Sequence, residues 1–320
     1  MRTSRWRIVF FGTPVFAVPS LECLLEGFDE LVAVVTQPDR GKGRGKKVFP
    51  SPVKKTAQKH GLTILQPERV KEESFQNQVQ ELEPDLFVVV AYGQILPKSF
   101  LEIPHYGAMN VHASLLPKYR GAAPIPWVIL KGEKVTGVTT MMMDPGMDTG
   151  GILLQAEVPI GERETYETLH NRLASLGARL LLETLAGIKT GSIHARPQDH
   201  SQATYAPTLK KEEGRIDWEK TAEEIDRQVR AFNPWPAAFT QWEGRLLKVC
   251  AGEARQGSAQ GKTGAVVWVG ADFIEVKTGK GSFLMREVQL EGGRRMKVKD
   301  FLSGHPISIG ITFRYSTPHK

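Results

Sequence analysis

The strongest constraint in this chain is an alternation. Up to about residue 190, short β-branched runs are separated by stretches of helical period. The runs lie at 7–11, 31–36 (Leu-Val-Ala-Val-Val-Thr), 86–91 (Leu-Phe-Val-Val-Val-Ala), 107–112, 135–142 and 152–160. Between them fall the amphipathic stretches 14–26, 52–60 and 70–82, and a longer one follows at 165–186. Runs that are apolar throughout must bury both faces. They predict a mostly parallel sheet with helices on each side, a Rossmann-like open α/β domain over residues 1–190.

The texture changes near Gly187. Gly187, Gly191 and Pro197 mark a polar stretch without strong period, which reads as a linker over 191–208. One amphipathic helix near 221–231 comes next. Short strand signals then recur near 238–243, 245–251, 263–269, 273–278 and 281–290, separated by Gly-rich turns. This pattern predicts a smaller, OB-like β-barrel over 209–320. A chain of 320 residues, 41% of them hydrophobic, has enough apolar material for two cores.

Several classes are excluded early. No apolar run reaches the ~18 residues of a membrane helix. The first strand signal begins at Arg7 and leaves no room for a signal or transit peptide, so a soluble cytoplasmic protein with no membrane partner is expected. Cys23 and Cys250 lie far apart in apolar stretches. That spacing offers neither a zinc cluster nor a disulfide framework, and it predicts inert core thiols and no metal site. The first strand ends in Phe10-Phe11-Gly12-Thr13-Pro14, without the later glycines of a dinucleotide fingerprint. The run Gly41 to Lys47 has neither the spacing of a Walker loop nor a Ser or Thr after its lysine. Nicotinamide, flavin and nucleotide-hydrolysis chemistry are therefore disfavoured.

The net charge of +7 leans toward the second half, where residues 208–320 hold 19 basic and 14 acidic side chains. A sharper feature is local. Residues 40–55 (RGKGRGKKVFPSPVKK) hold seven Lys or Arg and no acid, with three glycines at the start. They read as a mobile cationic loop suited to a polyanion, against the plainer reading of a solvated surface loop.

Candidate chemistry sits further on. In a strand, residues i and i+2 share a face, so Asn110 and His112 present an amide and an imidazole side by side at a sheet edge where open α/β domains bind ligands. Met143 to Gly151 then places Asp144 and Asp148 in a Gly-rich turn between strands. An amide, a histidine and an aspartate without a Ser or Cys nucleophile suit direct acyl transfer better than covalent catalysis. Taken singly, each has a plainer role: a structural histidine, a turn-forming aspartate, an asparagine cap.

Asn110-Val111-His112, then Ser114-Leu115-Leu116-Pro117-Lys118-Tyr119-Arg120-Gly121-Ala122-Ala123-Pro124, then Asp144-Pro145-Gly146-Met147-Asp148-Thr149-Gly150, resembles the signature of the folate-dependent formyltransferases. Gly12 to Ala17, Thr36 to Arg40 and Ala231 to Pro236 are similar to the branch of that family acting on methionyl-tRNA. The resemblance runs on to Gly304-His305-Pro306. It implies transfer of a formyl group from 10-formyltetrahydrofolate to the α-amine of methionyl initiator tRNA, for translation initiation, with no metal needed; a monomer is expected, though the sequence itself gives no oligomeric state. It places the formyl group at Asn110, His112 and Asp148. The Asn110 amide and a His112 donor would stabilise charge on the formyl oxygen, and Asp148 would orient the ring and help remove the amine proton. Ser114, Leu115, Leu116 and Pro117 would line the folate site. Arg40, Lys42, Arg44, Lys46 and Lys47 would meet the tRNA, with the second domain along its acceptor stem. Arg120 would be structural or would meet an anionic substrate group.

The nearest rival is a formyltransferase acting on an amino-sugar nucleotide, which can carry a similar second domain. So small a substrate does not need seven positive charges over sixteen residues. A glycinamide ribonucleotide formyltransferase typically lacks the appended β domain. The intact Asn110, His112 and Asp148 speak against a non-catalytic RNA-binding protein.

Overall fold

The computed structural model describes residues 5–42, 47–257 and 260–313. The first half contains strands β1 (Arg7–Gly12), β2 (Glu30–Val35), β3 (Arg40–Lys42), β4 (Lys47–Phe49), β5 (Ile64–Leu65), β6 (Leu86–Val90), β7 (Ala108–His112), β8 (Val135–Met142) and β9 (Ile152–Pro159). Its helices are α1 (Val18–Glu26), α2 (Pro52–Lys59), α3 (Glu73–Gln80), α4 (Lys98–Leu101), α5 (Pro124–Lys131) and α6 (Tyr166–Thr190). One seven-stranded sheet has the order β5-β2-β1-β6-β7-β8-β9. The pairs from β5 through β7 are parallel, while β8 and β9 add an antiparallel edge. The central strands behave as their composition requires, since all five residues of β6 and the last five of β1 are buried. Phe11, Phe87 and Phe100 meet edge to face or tilted in the core on one side of this sheet.

Several elements escaped the sequence reading, helix α5 and the hairpin of β3 and β4 among them. Helix α5 starts Pro124-Ile125-Pro126, which looks like a helix breaker. Proline is tolerated in a first turn because those N–H groups have no intrahelical partner. The cationic loop is another case. Its flanks form a hairpin in which Arg40 pairs with Phe49, Gly41 with Val48 and Lys42 with Lys47. Backbone pairing ignores side-chain charge, and Val48 and Phe49 are good strand formers.

The second half contains α7 (Ala222–Phe232), β10 (Ala238–Trp242), β11 (Arg245–Arg255), β12 (Val266–Val269), β13 (Ile274–Lys277), β14 (Ser282–Leu290), β15 (Met296–Lys297) and α8 (Val298–Gly304). Its antiparallel sheet has the order β10-β11-β14-β13-β12, with β15 added to β14. Ile225 and Val229 of α7 share a core with Val249, Val276, Phe283 and Val288 of the strands. Contacts divide the chain into two units, one of residues 1–124, 135–159 and 169–207, the other of 125–134, 160–168 and 208–320. Residues 125–134 and 160–168 thus group with the second unit, although a reading along the sequence assigns them to the first domain. No helix among the described residues is long and apolar enough to cross a membrane. Cys250 is buried and its thiol is pushed up by desolvation, whereas Cys23, expected in a core, is only half-buried.

Helix α7 is fastened by a capping box. The Thr221 hydroxyl accepts the Glu224 N–H (3.2 Å), and the Thr221 N–H donates to Glu224 Oε2 (2.9 Å). The Thr221 N–H bond and a further one, from the Thr221 hydroxyl to Glu224 Oε2 (2.8 Å), hold the Glu224 carboxyl below its ordinary value. A depressed folded-state value stabilises the fold at neutral pH, and the contribution is lost as pH falls through it. Thr221→Ala is expected to cost about 1 kcal/mol at neutral pH. The gap in Tm between parent and variant should narrow in melts taken below the ordinary carboxylate range.

Candidate active site

The sheet order sets the location. From β1 the chain moves outward to β2 and β5 on one side and to β6 and β7 on the other, so the crevice opens at the carboxyl ends of β1 and β6. Just past β1, Thr13 Oγ1 donates to the Tyr92 carbonyl beyond β6 (2.9 Å), and Gln37 Nε2 donates to the same oxygen (3.4 Å). Asn110 pairs with Val89 next to this edge, and His112 follows two positions later on β7.

Asp148 arrives from the turn between β8 and β9. Its Oδ2 accepts the Gly121 N–H at 2.7 Å and lies 3.7 Å from His112 Nδ1. Its Oδ1 faces Asn110 Nδ2 at 3.5 Å. His112 is 7% exposed, and its Nε2 stands 3.0 Å from the Tyr119 carbonyl. Both ring nitrogens therefore face oxygens. A neutral imidazole donates to one of them and an imidazolium to both. At 3.7 Å the Nδ1 side is too long for a direct hydrogen bond, so Nδ1 is the ring nitrogen less engaged by the protein.

Glycines make the approach possible. Gly121 has φ +114°, and a Cβ there would lie 2.9 Å from the Ala206 carbonyl oxygen. At Gly150 a Cβ would lie 1.8 Å from the Met142 carbonyl oxygen, so the turn can fold back onto β8 only without a side chain there.

The two aspartates of the turn do different things. Asp144 Oδ1 accepts from the Gly146 N–H (3.0 Å) and the Thr149 hydroxyl (2.6 Å), the work of a turn former. Asp148 alone reaches Asn110 and His112. Among the described residues, no three His, Cys, Asp or Glu side chains converge as metal ligands.

The four residues expected to line a folate site separate as well. Ser114 is fully buried and donates to the Lys118 carbonyl (2.7 Å). Leu116 is buried too; its N–H donates to Thr139 Oγ1 (3.1 Å), and its carbonyl accepts from Gln155 Nε2 (2.8 Å). These two shape the loop from inside. Leu115 and Pro117 keep partly exposed side chains.

Arg120 is 2% exposed, and its guanidinium donates to Gln198 Oε1 (2.7 and 3.2 Å) and meets His200 Nδ1 (3.1 Å). Of its two expected roles, the structural one fits. Its partner comes from the stretch 191–208 expected as a linker, which is instead tied down. Arg196 exchanges two backbone hydrogen bonds with Ile152, and Arg120 is bonded to Thr204 and Ala206. Gln198 had no sequence signal, because a lone Gln in a polar stretch belongs to no motif.

Arg40 of the basic segment is exposed on β3, and Arg44 and Lys46 lie outside the described residues. Lys54, counted among the seven charges, pairs with Asp39 at 2.5 Å, one position before the acid-free window. Hydrogen bonds from Lys54 and then Gln66 hold the Asp39 carboxyl below its ordinary value.

Residues 6–185 match the Formyl transferase family, and residues 208–306 match its companion, Formyl transferase, C-terminal domain. The chain belongs to the formyl transferase family. Similar to this formyltransferase are the Methionyl-tRNA formyltransferases of Trichlorobacter lovleyi (50% identical, covering 98% of each chain) and Acetivibrio thermocellus (50% identical, covering 95% of this chain and 98% of the other). The crystal structure of HypX from Aquifex aeolicus in complex with tetrahydrofolic acid shares its fold, with a TM-score of 0.65 at 18% identity. That match covers 98% of this chain and 51% of the HypX chain. WlaRD, a sugar 3N-formyl transferase, shares the fold with a TM-score of 0.65 at 21% identity, covering 88% of this formyltransferase and 97% of the other chain.

Proposed function

We propose that this formyltransferase moves the formyl group of 10-formyltetrahydrofolate onto the α-amine of methionine esterified to initiator tRNA. The observation that carries the reading is the 50% identity to a Methionyl-tRNA formyltransferase over 98% of both chains. The sugar N-formyltransferase match, at 21% identity, is a likeness of fold alone. The Asn110 amide fits a formamide-type carbonyl, which needs an N–H donor near its oxygen and no covalent nucleophile.

In this reading the amine adds to the formyl carbon of 10-formyltetrahydrofolate, the bond from that carbon to the folate nitrogen breaks with its electron pair going to that nitrogen, and the proton lost by the amine is delivered there, giving the formamide and tetrahydrofolate. Asn110 Nδ2 donates to the formyl oxygen where negative charge develops. His112 acts through Nδ1, since Nε2 donates to the Tyr119 carbonyl, and a ring that donates from both nitrogens to carbonyl and formyl oxygens is an imidazolium. Asp148 keeps the ring turned toward the site and accepts, through water, the proton the amine loses. Leu115 and Pro117 are the members of the Ser114 to Pro117 run available to touch the folate.

Labelled 10-formyltetrahydrofolate offered with methionyl initiator tRNA and, separately, an amino-sugar nucleotide tests the reading. Label should move to the tRNA. Transfer to the sugar and not the tRNA would overturn it.

The basic hairpin carries the tRNA half of the proposal. Arg40, Lys42, Arg44, Lys46 and Lys47 would contact phosphates, each contact adding a salt-dependent contribution through counterion release. The triple variant Arg44→Ala, Lys46→Ala, Lys47→Ala should raise the KM for tRNA several-fold and flatten its dependence on salt. The KM for folate should stay the same. An unchanged salt slope would assign the hairpin to the solvated surface.

A further inference from the structure

Asp148 has φ +52°, a left-handed backbone that an aspartate adopts only at a cost. The contacts that hold it there come from Gln198. This side chain is 6% exposed, and its Nε2 donates to the Asp148 carbonyl and to the Gly150 carbonyl, both at 2.8 Å. Its Oε1 accepts from Arg120 Nε and Nη2. The amide has one workable orientation, because a guanidinium only donates and a carbonyl only accepts.

The register explains why Gln198 is in place. Arg196 and Ile152 exchange backbone hydrogen bonds at 2.8 Å in each direction. In an antiparallel pairing the residue two beyond Arg196 then lies opposite the residue two before Ile152, which is Gly150. Arg120 closes the arrangement. It is buried, it forms no ion pair among the described residues, and its neighbour Gly121 supplies the N–H that holds the Asp148 carboxylate. A charged donor on Oε1 also polarises the amide and strengthens its two N–H bonds. Gln198 thus grips the Asp148 backbone while Gly121 holds the Asp148 side chain, and both trace back to Arg120.

We propose that Gln198 is a positioning residue for formyl transfer, fixing the Asp148–Gly150 backbone so that the carboxylate stays against His112 and Asn110. The inference rests on the role proposed above for Asp148. The contacts it protects are already long, 3.5 and 3.7 Å, so a shift on the order of 1 Å removes them.

Two variants test it in the full-length protein. Gln198→Glu keeps an acceptor for Arg120 but replaces the donor to the two carbonyls with an oxygen. It leaves the buried guanidinium paired, and a thermal melt of each variant checks that it is folded. Gln198→Met keeps the length and removes both interactions. Each should lower kcat by about 10- to 100-fold with the KM for either substrate within about threefold. The decisive readout is coupling, measured by single turnover. In an Asp148→Asn background the same substitutions should change the rate by less than about threefold, because the group they position has already lost its charge. A parent-like kcat in both variants would overturn the proposal, as would an equal fold-loss in the two backgrounds. If Asp148→Asn itself kept the parent rate, the reading of Asp148 would fall first. An inactive Asp148→Asn beside fully active Gln198 variants would reject this inference alone.

Discussion

Asn110→Ala and His112→Ala are each expected to lower kcat by at least ~100-fold while the KM for the folate stays within about threefold. Removing one donor from a developing oxyanion typically costs ~3 kcal/mol of transition-state stabilisation, and the interaction is weak in the ground state, so the loss falls on turnover. The structure makes the two variants distinguishable. Asn110 is half-buried, and its Nδ2 is 3.5 Å from Asp148, so its removal leaves no strong internal bond unmade. His112 is 7% exposed and engaged with the Tyr119 carbonyl, so His112→Ala also opens a cavity and leaves that carbonyl without its ring partner. The Asn110 variant should melt close to the parent, and the His112 variant lower. Steady-state kinetics with both substrates, together with thermal melts, check both statements. Near-parent turnover in both variants would withdraw the assignment of the formyl site.

Asp148→Asn should also lose at least ~100-fold in turnover, with Tm nearly unchanged, while Asp144→Asn stays within a few-fold of the parent. Asparagine tolerates the left-handed backbone at 148 and keeps an oxygen to accept the Gly121 N–H. With that oxygen in place, its amide nitrogen faces Asn110 Nδ2, so two donors oppose each other. Asn110 must then rotate to offer its oxygen, which withdraws the donor meant for the formyl group. The variant loses the proton acceptor and misdirects Asn110 in a single change. At position 144 the oxygen accepting from Gly146 and Thr149 survives in asparagine, so the turn persists. Equal losses of rate and stability at the two positions would make the whole turn structural and Asp148 no different from Asp144.

The sheet was legible in the sequence because its strands are buried on both faces. Leu86 to Val90 and Ile8 to Phe11 are written as unbroken apolar runs, and the sheet buries them as written. Elements that depend on long-range partners left weaker marks. The two-residue strand β5 has too little length for any period and exists because β2 offers it an edge. The hairpin of β3 and β4 is hidden by its charge, and α5 by its prolines. The division into units followed the same rule. Residues 125–134 and 160–168 adjoin the first domain in sequence and group with the second in space, so no single cut separates the two.

For the candidate site, the sequence by itself determined the pair on β7. The i, i+2 spacing of Asn110 and His112 is a property of any strand, and their place at the carboxyl edge follows from the α/β alternation. The strand and turn pattern could not choose between Asp144 and Asp148, which stand in one turn with the same side chain, and the family resemblance alone pointed to Asp148. The tertiary structure decided that, because a left-handed residue at 148 and a bare Gly150 turn one carboxylate inward and leave the other to hold the turn. It also decided the partners of Ser114, Arg120 and Gln198, which lie four, 78 and 50 positions away. Sequence patterns report how a residue sits relative to its own strand or helix. Which polar group will meet a buried guanidinium or carbonyl is settled only when distant segments pack and each desolvated group must find a partner.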